Sequence, residues 1–204
     1  MNGVVIHHTG DYSSQAQMVD LCYTGYSGLP GPLGHTVIDK SGTCHMVGWG
    51  RANHAGLGDG DVLQAVIDEP ALPADNEANT DGNSRFYGTE VINSGDGSDP
   101  WPEAQVDAAA RWAAALCRAH GWSERSVIGH KEWQPGKPDP SISMNDFRTP
   151  AATFAHYTLF RLAEEHVAQH FGWLLGYARL SIGGCPITDG LRMKCAVGLG
   201  SWVM

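Results

Sequence analysis

Three apolar or β-branched runs in this chain each end at a histidine or a carboxylate. They are Val4-Val5-Ile6-His7, the run through Gly88-Thr89-Glu90, and Ile128-Gly129-His130. Each run is short enough to be a buried strand, and the residue at its end would then lie at the mouth of a pocket. Helical signals separate the runs. Strands that alternate with helices predict an α/β protein with a central mixed β-sheet flanked by helices.

The predicted elements follow the chain in a simple order. We predict strands over residues 3–8, 86–93 and 126–128, a hairpin of residues 34–39 and 43–47, and helices over 13–23 and 102–120. The second helix would end at Gly121 and bury a stripe of small and apolar residues: Val106, Ala109, Ala110, Ala113, Leu116 and Cys117. Residues 26–33 are predicted as a Gly/Pro loop. Residues 58–83 are acidic and weakly patterned, which predicts a long loop that serves as a lid or substrate wall.

Residues 1–148 are expected to form one domain, and residues 149–204 a C-terminal extension. The extension would begin with a helix over 149–170 and continue as a glycine-rich tail of unknown role. It carries His156, His166 and His170, and the last two have the four-residue spacing of a helical metal face, which is left open. For the tail, an anchoring or targeting role and packing against the domain are both open.

Charge and cysteine content exclude several classes of partner. The net charge of −9 argues against nucleic acid, since phosphate binding needs a basic face. No signal peptide and no membrane-spanning run is visible, so stable membrane insertion is not expected. The five cysteines include no CxxC pair and favour synthesis in a reducing cytoplasm, although a Cys185–Cys195 bridge stays open.

A metal site is the chemistry that these strand ends favour. His7 and His130 each follow an apolar run, and Asp139 stands after a Gly/Pro-rich turn that can fold back toward them. Two histidines and one carboxylate leave a fourth zinc position open, which is typical of a catalytic site. The alternative for Asp139 is an Asp-Pro turn without a metal.

Two further residues are candidates for catalysis. Glu90 stands in an otherwise apolar strand, where a carboxylate with a raised pKa would serve as general base. Its alternative is an outward-facing strand position. Lys137 stands two residues before Asp139 and would stabilise an oxyanion, while its alternative is a solvated loop lysine.

The order of these motifs resembles a known family. Ile6-His7-His8-Thr9, Asn53-His54-Ala55-Gly56, Gly88-Thr89-Glu90 and Gly129-His130, followed by Lys137-Pro138-Asp139-Pro140, are similar to the type 2 zinc N-acetylmuramoyl-L-alanine amidases, which share the peptidoglycan recognition protein fold. The stretches at 83–88 and 128–133 resemble the amidase domain of endolysins from phages of actinobacteria. The resemblance covers residues 3–148.

The resemblance implies a role for each matching residue. His7, His130 and Asp139 would bind Zn²⁺, Glu90 would activate the attacking water, and Lys137 would stabilise the oxyanion. His54 and Asn53 would line the groove and bind substrate, and His8 would point to the other face of its strand. The substrate would be peptidoglycan, cut between N-acetylmuramic acid and L-alanine by a monomer that is made in the host cytoplasm and acts on the wall after release.

One departure and two alternatives accompany this interpretation. Many relatives carry a tyrosine near the metal where this chain has Gly34. A non-catalytic peptidoglycan recognition protein is one alternative, although that class typically loses a zinc ligand. A cytosolic amidase that recycles muropeptide fragments is the other.

Overall fold

The computed structural model describes residues 1–10 and 14–148, together with the backbone of residues 194–195. Its strands are β1 (Gly3–His8), β2 (Gly25–Tyr26), β3 (Leu29–Pro30), β4 (Thr36–Ile38), β5 (Cys44–Met46), β6 (Leu57–Gly58), β7 (Thr80–Asp81), β8 (Phe86–Val91), β9 (Val127–Gly129) and β10 (Lys194–Cys195). Its helices are α1 (Gln15–Thr24), α2 (Gly60–Asp68), α3 (Glu103–His120) and α4 (Met144–Arg148), and single 3-10 turns occur at Gly82–Ser84, Glu124–Ser126 and His130–Glu132.

The central sheet has six strands in the order β10-β5-β4-β8-β1-β9. The pairs of β1 with β8, of β1 with β9 and of β4 with β8 are parallel, whereas β4 and β5 form the predicted antiparallel hairpin. The mixed sheet confirms the predicted α/β class. β1 lies between β8, which carries Glu90, and β9, which leads directly into His130, and its His7 is the register partner of Glu90.

Local sequence signals set the ends of the helices. The Ser14 side chain accepts a hydrogen bond from the Gln17 backbone at the start of α1, and Gly25 ends that helix with φ of 76°. Pro102 precedes α3, and Gly121 ends it in the left-handed conformation with φ of 73°. These ends confirm the first and third helices as the sequence predicted them.

The sheet is covered on both faces. On one face, α1 packs through Met18 and Val19 against Val37 and Ile92, and α2 packs through Val62 and Val66 against Val5, Phe86 and Trp133. On the other face, α3 and Met144 of α4 pack against Val4, Ile6, Ile38 and Val91. The stripe predicted for α3 is partly wrong: Val106 and Ala110 are only half-buried, while Ala108 and Trp112 lie fully in the core.

The region predicted as a long loop contains a helix instead. Asp59 is 1% exposed, and its carboxylate caps α2 by accepting from the Asp61 backbone. The other carboxylate oxygen accepts from the backbones of Asn76 and Glu77, which fixes the return of the chain. Residues 60–68 are therefore helical and tied into the core, while the role of residues 58–83 as a lid or substrate wall stays a prediction.

Two other expectations have a mixed or open outcome. The Gly/Pro loop at 26–33 includes the short antiparallel pair of β2 and β3. The predicted helix over 149–170, its three histidines and the Cys185–Cys195 pair involve residues outside the described part of the chain. Within that part, Cys22, Cys44 and Cys117 are buried free thiols, and no helix is long and apolar enough to cross a membrane.

Candidate metal centre

Three buried donor atoms meet beyond the carboxyl ends of β1 and β9. His7 is near the end of β1, His130 begins the 3-10 turn after β9, and Asp139 follows the Gly/Pro-rich turn. The Nδ1 atoms of His7 and His130 lie 3.1 Å apart, and each lies 3.1 Å from Asp139 Oδ2. The three side chains the sequence selected as metal ligands are therefore together in the fold, with all three residues buried.

The outer nitrogens of both rings are fixed by neighbours. His130 Nε2 lies 3.0 Å from the Gln134 side-chain oxygen, which only accepts, so Nε2 carries the proton. His54 Nε2 donates to the Phe86 carbonyl at 3.1 Å, which leaves His54 Nδ1 free to accept from His7 Nε2 at 2.9 Å. In the neutral rings, both Nδ1 atoms consequently present lone pairs to one another and to Asp139.

This arrangement fits a divalent cation. Two imidazole lone pairs and one carboxylate oxygen converge with no hydrogen between them, and an ion with N/O ligands satisfies all three. Burial lowers the pKa of His7 to about 4, with the His130 ring as the next cause, so His7 is neutral at neutral pH. Burial disfavours the charged form of Asp139, but the adjacent His130 and His7 rings outweigh it and lower the carboxyl pKa.

Glu90 lies beside this donor cluster. Its Oε1 is 4.0 Å from His7 Nδ1, and only 14% of its side chain is exposed. Burial, followed by the charge of Asp139, raises the pKa of Glu90 to about 8, while Lys137 acts in the opposite direction. A carboxyl group that titrates near neutral pH beside a candidate metal is suited to proton transfer.

Lys137 acts on Glu90 through its charge, and Gly34 lies next to the Glu90 side chain. Lys137 is exposed in the turn before Asp139. Its positive charge lowers the pKa of both His7 and Glu90, so it contributes to the electrostatic potential at the cluster. A Cβ at Gly34 would stand 3.4 Å from Glu90 Cγ. The position where relatives carry a tyrosine therefore adjoins the candidate base.

His54 and Asn53, which the resemblance implies as substrate-binding residues, both make hydrogen bonds within the fold. His54 is 8% exposed and lies behind His7, with both ring nitrogens engaged inside the protein. The Asn53 side chain donates to the Pro30 carbonyl at 2.8 Å and ties two loops together. His54 therefore supports a candidate ligand, and the substrate-binding role expected of His54 and Asn53 stays a prediction.

Glycine at position 88 makes room for the His54 ring. A Cβ built on Gly88 would overlap the Nδ1, Cε1 and Cγ atoms of His54. The Gly88 backbone N–H also donates to His35 Nδ1 at 3.0 Å, and His35 Nε2 donates to the Gly50 carbonyl at 2.8 Å. The histidine behind His7 thus packs directly on the backbone of β8.

The sequence analysis did not identify the partner of His130. Gln134 follows His130 by four residues, and its backbone N–H donates to the His130 carbonyl at 3.0 Å. The four-residue spacing after a ligand histidine was the available signal. It became interpretable only with the turn that brings the two side chains together.

This chain is similar in sequence to one protein family and in fold to solved structures. The profile of the Amidase_2 family, described as N-acetylmuramoyl-L-alanine amidase, matches residues 1–142. No curated protein matches the chain. The fold is similar to AmpDh3 from Pseudomonas aeruginosa, solved in complex with anhydromuramic pentapeptide, with a TM-score of 0.51 and 18% identity over 74% of this chain. The match spans 59% of the AmpDh3 chain.

Two amidase structures from Clostridium intestinale URNW show a weaker likeness. LysC has a TM-score of 0.45 and 19% identity, over 71% of this chain and 83% of its own. The endolysin amidase LysCS has the same TM-score and identity, over 71% of this chain and 81% of its own. At 18% identity, the likeness to AmpDh3 supports the fold only. The profile match over residues 1–142 shows that this chain belongs to the N-acetylmuramoyl-L-alanine amidase family.

Proposed function

We propose that this protein is a zinc-dependent hydrolase of the amide between N-acetylmuramic acid and L-alanine in peptidoglycan. The observation that carries the proposal is the convergence of His7 Nδ1, His130 Nδ1 and Asp139 Oδ2, whose mutual distances are 3.1 Å. Family membership indicates which amide bond is hydrolysed, and the set of donor atoms indicates that the catalyst is a metal ion. Zinc suits two imidazoles and one carboxylate with a further position open to solvent.

The side chains divide the chemistry between them. Bound by His7, His130 and Asp139, the ion would supply Lewis acidity toward a carbonyl and would lower the pKa of a water. Glu90, 4.0 Å from His7 Nδ1, is placed to take a proton from the attacking water and return it to the leaving amine. Lys137 supplies positive charge near the oxygen of the tetrahedral intermediate.

The biological setting we propose is lysis of bacterial cell walls by a phage endolysin, with an actinobacterial host. The stretches at 83–88 and 128–133 support it through their resemblance to amidase domains of actinobacteriophage endolysins. Peptidoglycan would be the partner, and the protein would act as a monomer on the wall. The extension over residues 149–204 would either target the wall or pack against the domain.

Release of new L-alanine amino termini from purified actinobacterial wall tests the activity. Zinc-loaded wild-type protein should release them, and chelation, Glu90→Gln and His130→Ala should each abolish release. The matched variant Glu77→Gln changes an exposed glutamate whose carboxylate pairs with Asn79, and it should retain release. If zinc binds tightly but neither wall nor anhydro-muropeptide is cut, the amidase proposal is wrong. Cleavage of soluble anhydro-muropeptide without wall would instead favour a recycling enzyme.

A further inference from the structure

The segment that carries Asp139 is held in place by the residue after His130. The Lys131 backbone N–H donates to the Asp139 carbonyl at 2.6 Å. Its Nζ atom donates to the carbonyls of Pro140 and Ile142, at 2.8 and 2.7 Å. One lysine therefore makes three hydrogen bonds to the four residues that begin with the third candidate ligand.

The residue after His7 contacts the same segment. Because neighbouring side chains on a strand alternate between faces, His8 points away from the donor cluster. Its Nδ1 accepts from the Ser141 backbone N–H at 3.1 Å, and Trp101 donates from its indole to Ser141 Oγ at the same distance. The residues that follow the two candidate histidine ligands, His8 and Lys131, thus both hydrogen-bond to the segment of residues 139–142.

The position of Asp139 depends on such contacts because the chain on either side of it is neither helix nor strand. The turn from Gln134 to Pro138 is mostly exposed, and Gly136 adopts a positive φ of 83°. Between this turn and α4 there is no regular element to fix the carboxylate. An ammonium that donates to two carbonyls of one segment restricts the segment directly and is stronger than a neutral donor.

We propose that Lys131 is a positioning residue for the metal site: it holds Asp139 Oδ2 at the distance from His7 and His130 that a cation requires. The inference rests on the proposed metal function of that cluster. Lys131 touches neither the donor atoms nor the substrate in this role. It acts through the backbone of residues 139–142, with His8 as a second contact at Ser141.

The affinity of the full-length protein for Zn²⁺ tests this role without an activity assay. Competition with a chromophoric chelator should show about 10- to 100-fold weaker binding for Lys131→Met, as for other residues that orient metal ligands. Lys131→Arg keeps a charged donor and should recover most of the affinity. Lys40→Met is the matched control, since Lys40 Nζ likewise donates to a backbone carbonyl, that of Pro100, and also to Asp99.

A purely structural role would give a different result. It would lower the melting temperature of the metal-free Lys131→Met protein and leave its zinc affinity equal to that of wild type, which would overturn the inference. If Lys131→Met does not fold, Lys131→Gln removes the charged donor to Pro140 and Ile142 while keeping a polar side chain, and zinc affinity equal to that of wild type in Lys131→Gln would also overturn the inference. Absence of zinc binding by the wild type would overturn the metal proposal itself, whereas zinc binding unaffected by these variants overturns only the role of Lys131.

Discussion

The Nε2 nitrogen of His7 lies 2.9 Å from the Nδ1 nitrogen of His54, and this contact determines which nitrogen of His7 faces Asp139. His54 can accept there because its own Nε2 proton is donated to the Phe86 carbonyl. Burial, followed by the adjacent His7 and His35, holds the pKa of His54 well below its usual range, so the ring stays neutral. A backbone carbonyl of β8 thereby orients a candidate metal ligand on β1 through one intervening ring.

Replacement of His54 by leucine should weaken zinc binding. Without an acceptor at His54 Nδ1, the proton of His7 is no longer held on Nε2, and the tautomer that presents Nδ1 to the cluster loses its support. We expect about 10- to 100-fold lower zinc affinity, as for other partners of ligand histidines. His45→Leu is the matched control, because His45 pairs with Asp39 in the β4–β5 hairpin. Equal zinc affinities in the two variants would contradict this function of His54.

Glu90 should make the metal-free protein less stable as the pH rises above 6.5. Its pKa is raised from 4.5 to about 8 in the fold, so between these values the folded state binds more protons than the unfolded state. The contribution of Glu90 to the free energy of unfolding is therefore fully present below pH 4.5. It decreases as the pH rises toward 8, by at most about 1.4 kcal/mol per pH unit. His7 has the opposite sign, since its pKa falls from 6.5 to about 4 and its effect ends at 6.5.

Urea unfolding at several pH values between 6.5 and 8, with a chelator present, isolates the Glu90 contribution. Wild-type protein should lose free energy of unfolding across this window relative to Glu90→Gln, which has no titrating carboxyl at that position. Parallel curves for the two proteins would show that Glu90 is ionised in the metal-free fold at neutral pH, contrary to its raised pKa.

Alanine at position 88 should disrupt the support of the metal site. The added methyl group would overlap the His54 ring. The ring cannot move aside without breaking its hydrogen bond to His7 or to the Phe86 carbonyl. We expect a loss of about 1–3 kcal/mol in the free energy of unfolding, typical of overpacking, together with weaker zinc binding. Gly34→Ala is the control, since the nearest atom to its Cβ is 3.4 Å away, an ordinary contact. A similar loss in both variants would mean that any side chain is excluded from this region.

The sequence was sufficient for the strands and the donor set because both depend on local pattern and chain order. Val4 to His7 and Phe86 to Glu90 are short strand-like runs, rich in apolar or β-branched residues, that each end at a titratable side chain. Parallel pairing of the two strands then places His7 beside Glu90. The expected roles of these residues in zinc binding and catalysis stay predictions, as does the domain boundary after residue 148.

The features that the sequence did not reveal depend on tertiary contacts. The α2 helix begins with Gly60 and lies in an acidic stretch, so its helical signal is hard to recognise in the sequence. Asp59 is recognisable as its buried cap only from the hydrogen bonds that its carboxylate accepts from residues 61, 76 and 77. The buried position of the His54 ring is possible because Gly88 of β8 has no side chain. Motif order carries no information about such contacts between distant segments.

Arg148 should stabilise the turn that presents His130. Its two terminal nitrogens donate to the two oxygens of Glu132, each at 2.7 Å, and one of them also donates to the Val127 carbonyl at 3.0 Å. Glu132 in turn accepts from the Gly129 backbone at 2.9 Å, so the pair spans the end of β9 and the start of the His130 turn. A bidentate pair of this kind is stronger than a single exposed contact.

Removing this pair with Arg148→Met should lower the free energy of unfolding by about 1.5–3 kcal/mol, the range for hydrogen bonds to charged groups. Arg51→Met breaks the pair with Asp81, whose side chains are 53% and 41% exposed, and should cost less than about 1 kcal/mol. Urea denaturation of Arg148→Met, of Glu132→Gln and of the double variant would give the coupling energy of the pair, and Arg51→Met is measured under the same conditions. If Arg148→Met costs no more than Arg51→Met, the Glu132 pair does not hold the turn, and the position of His130 must depend on Gln134 and the packing of β9 instead.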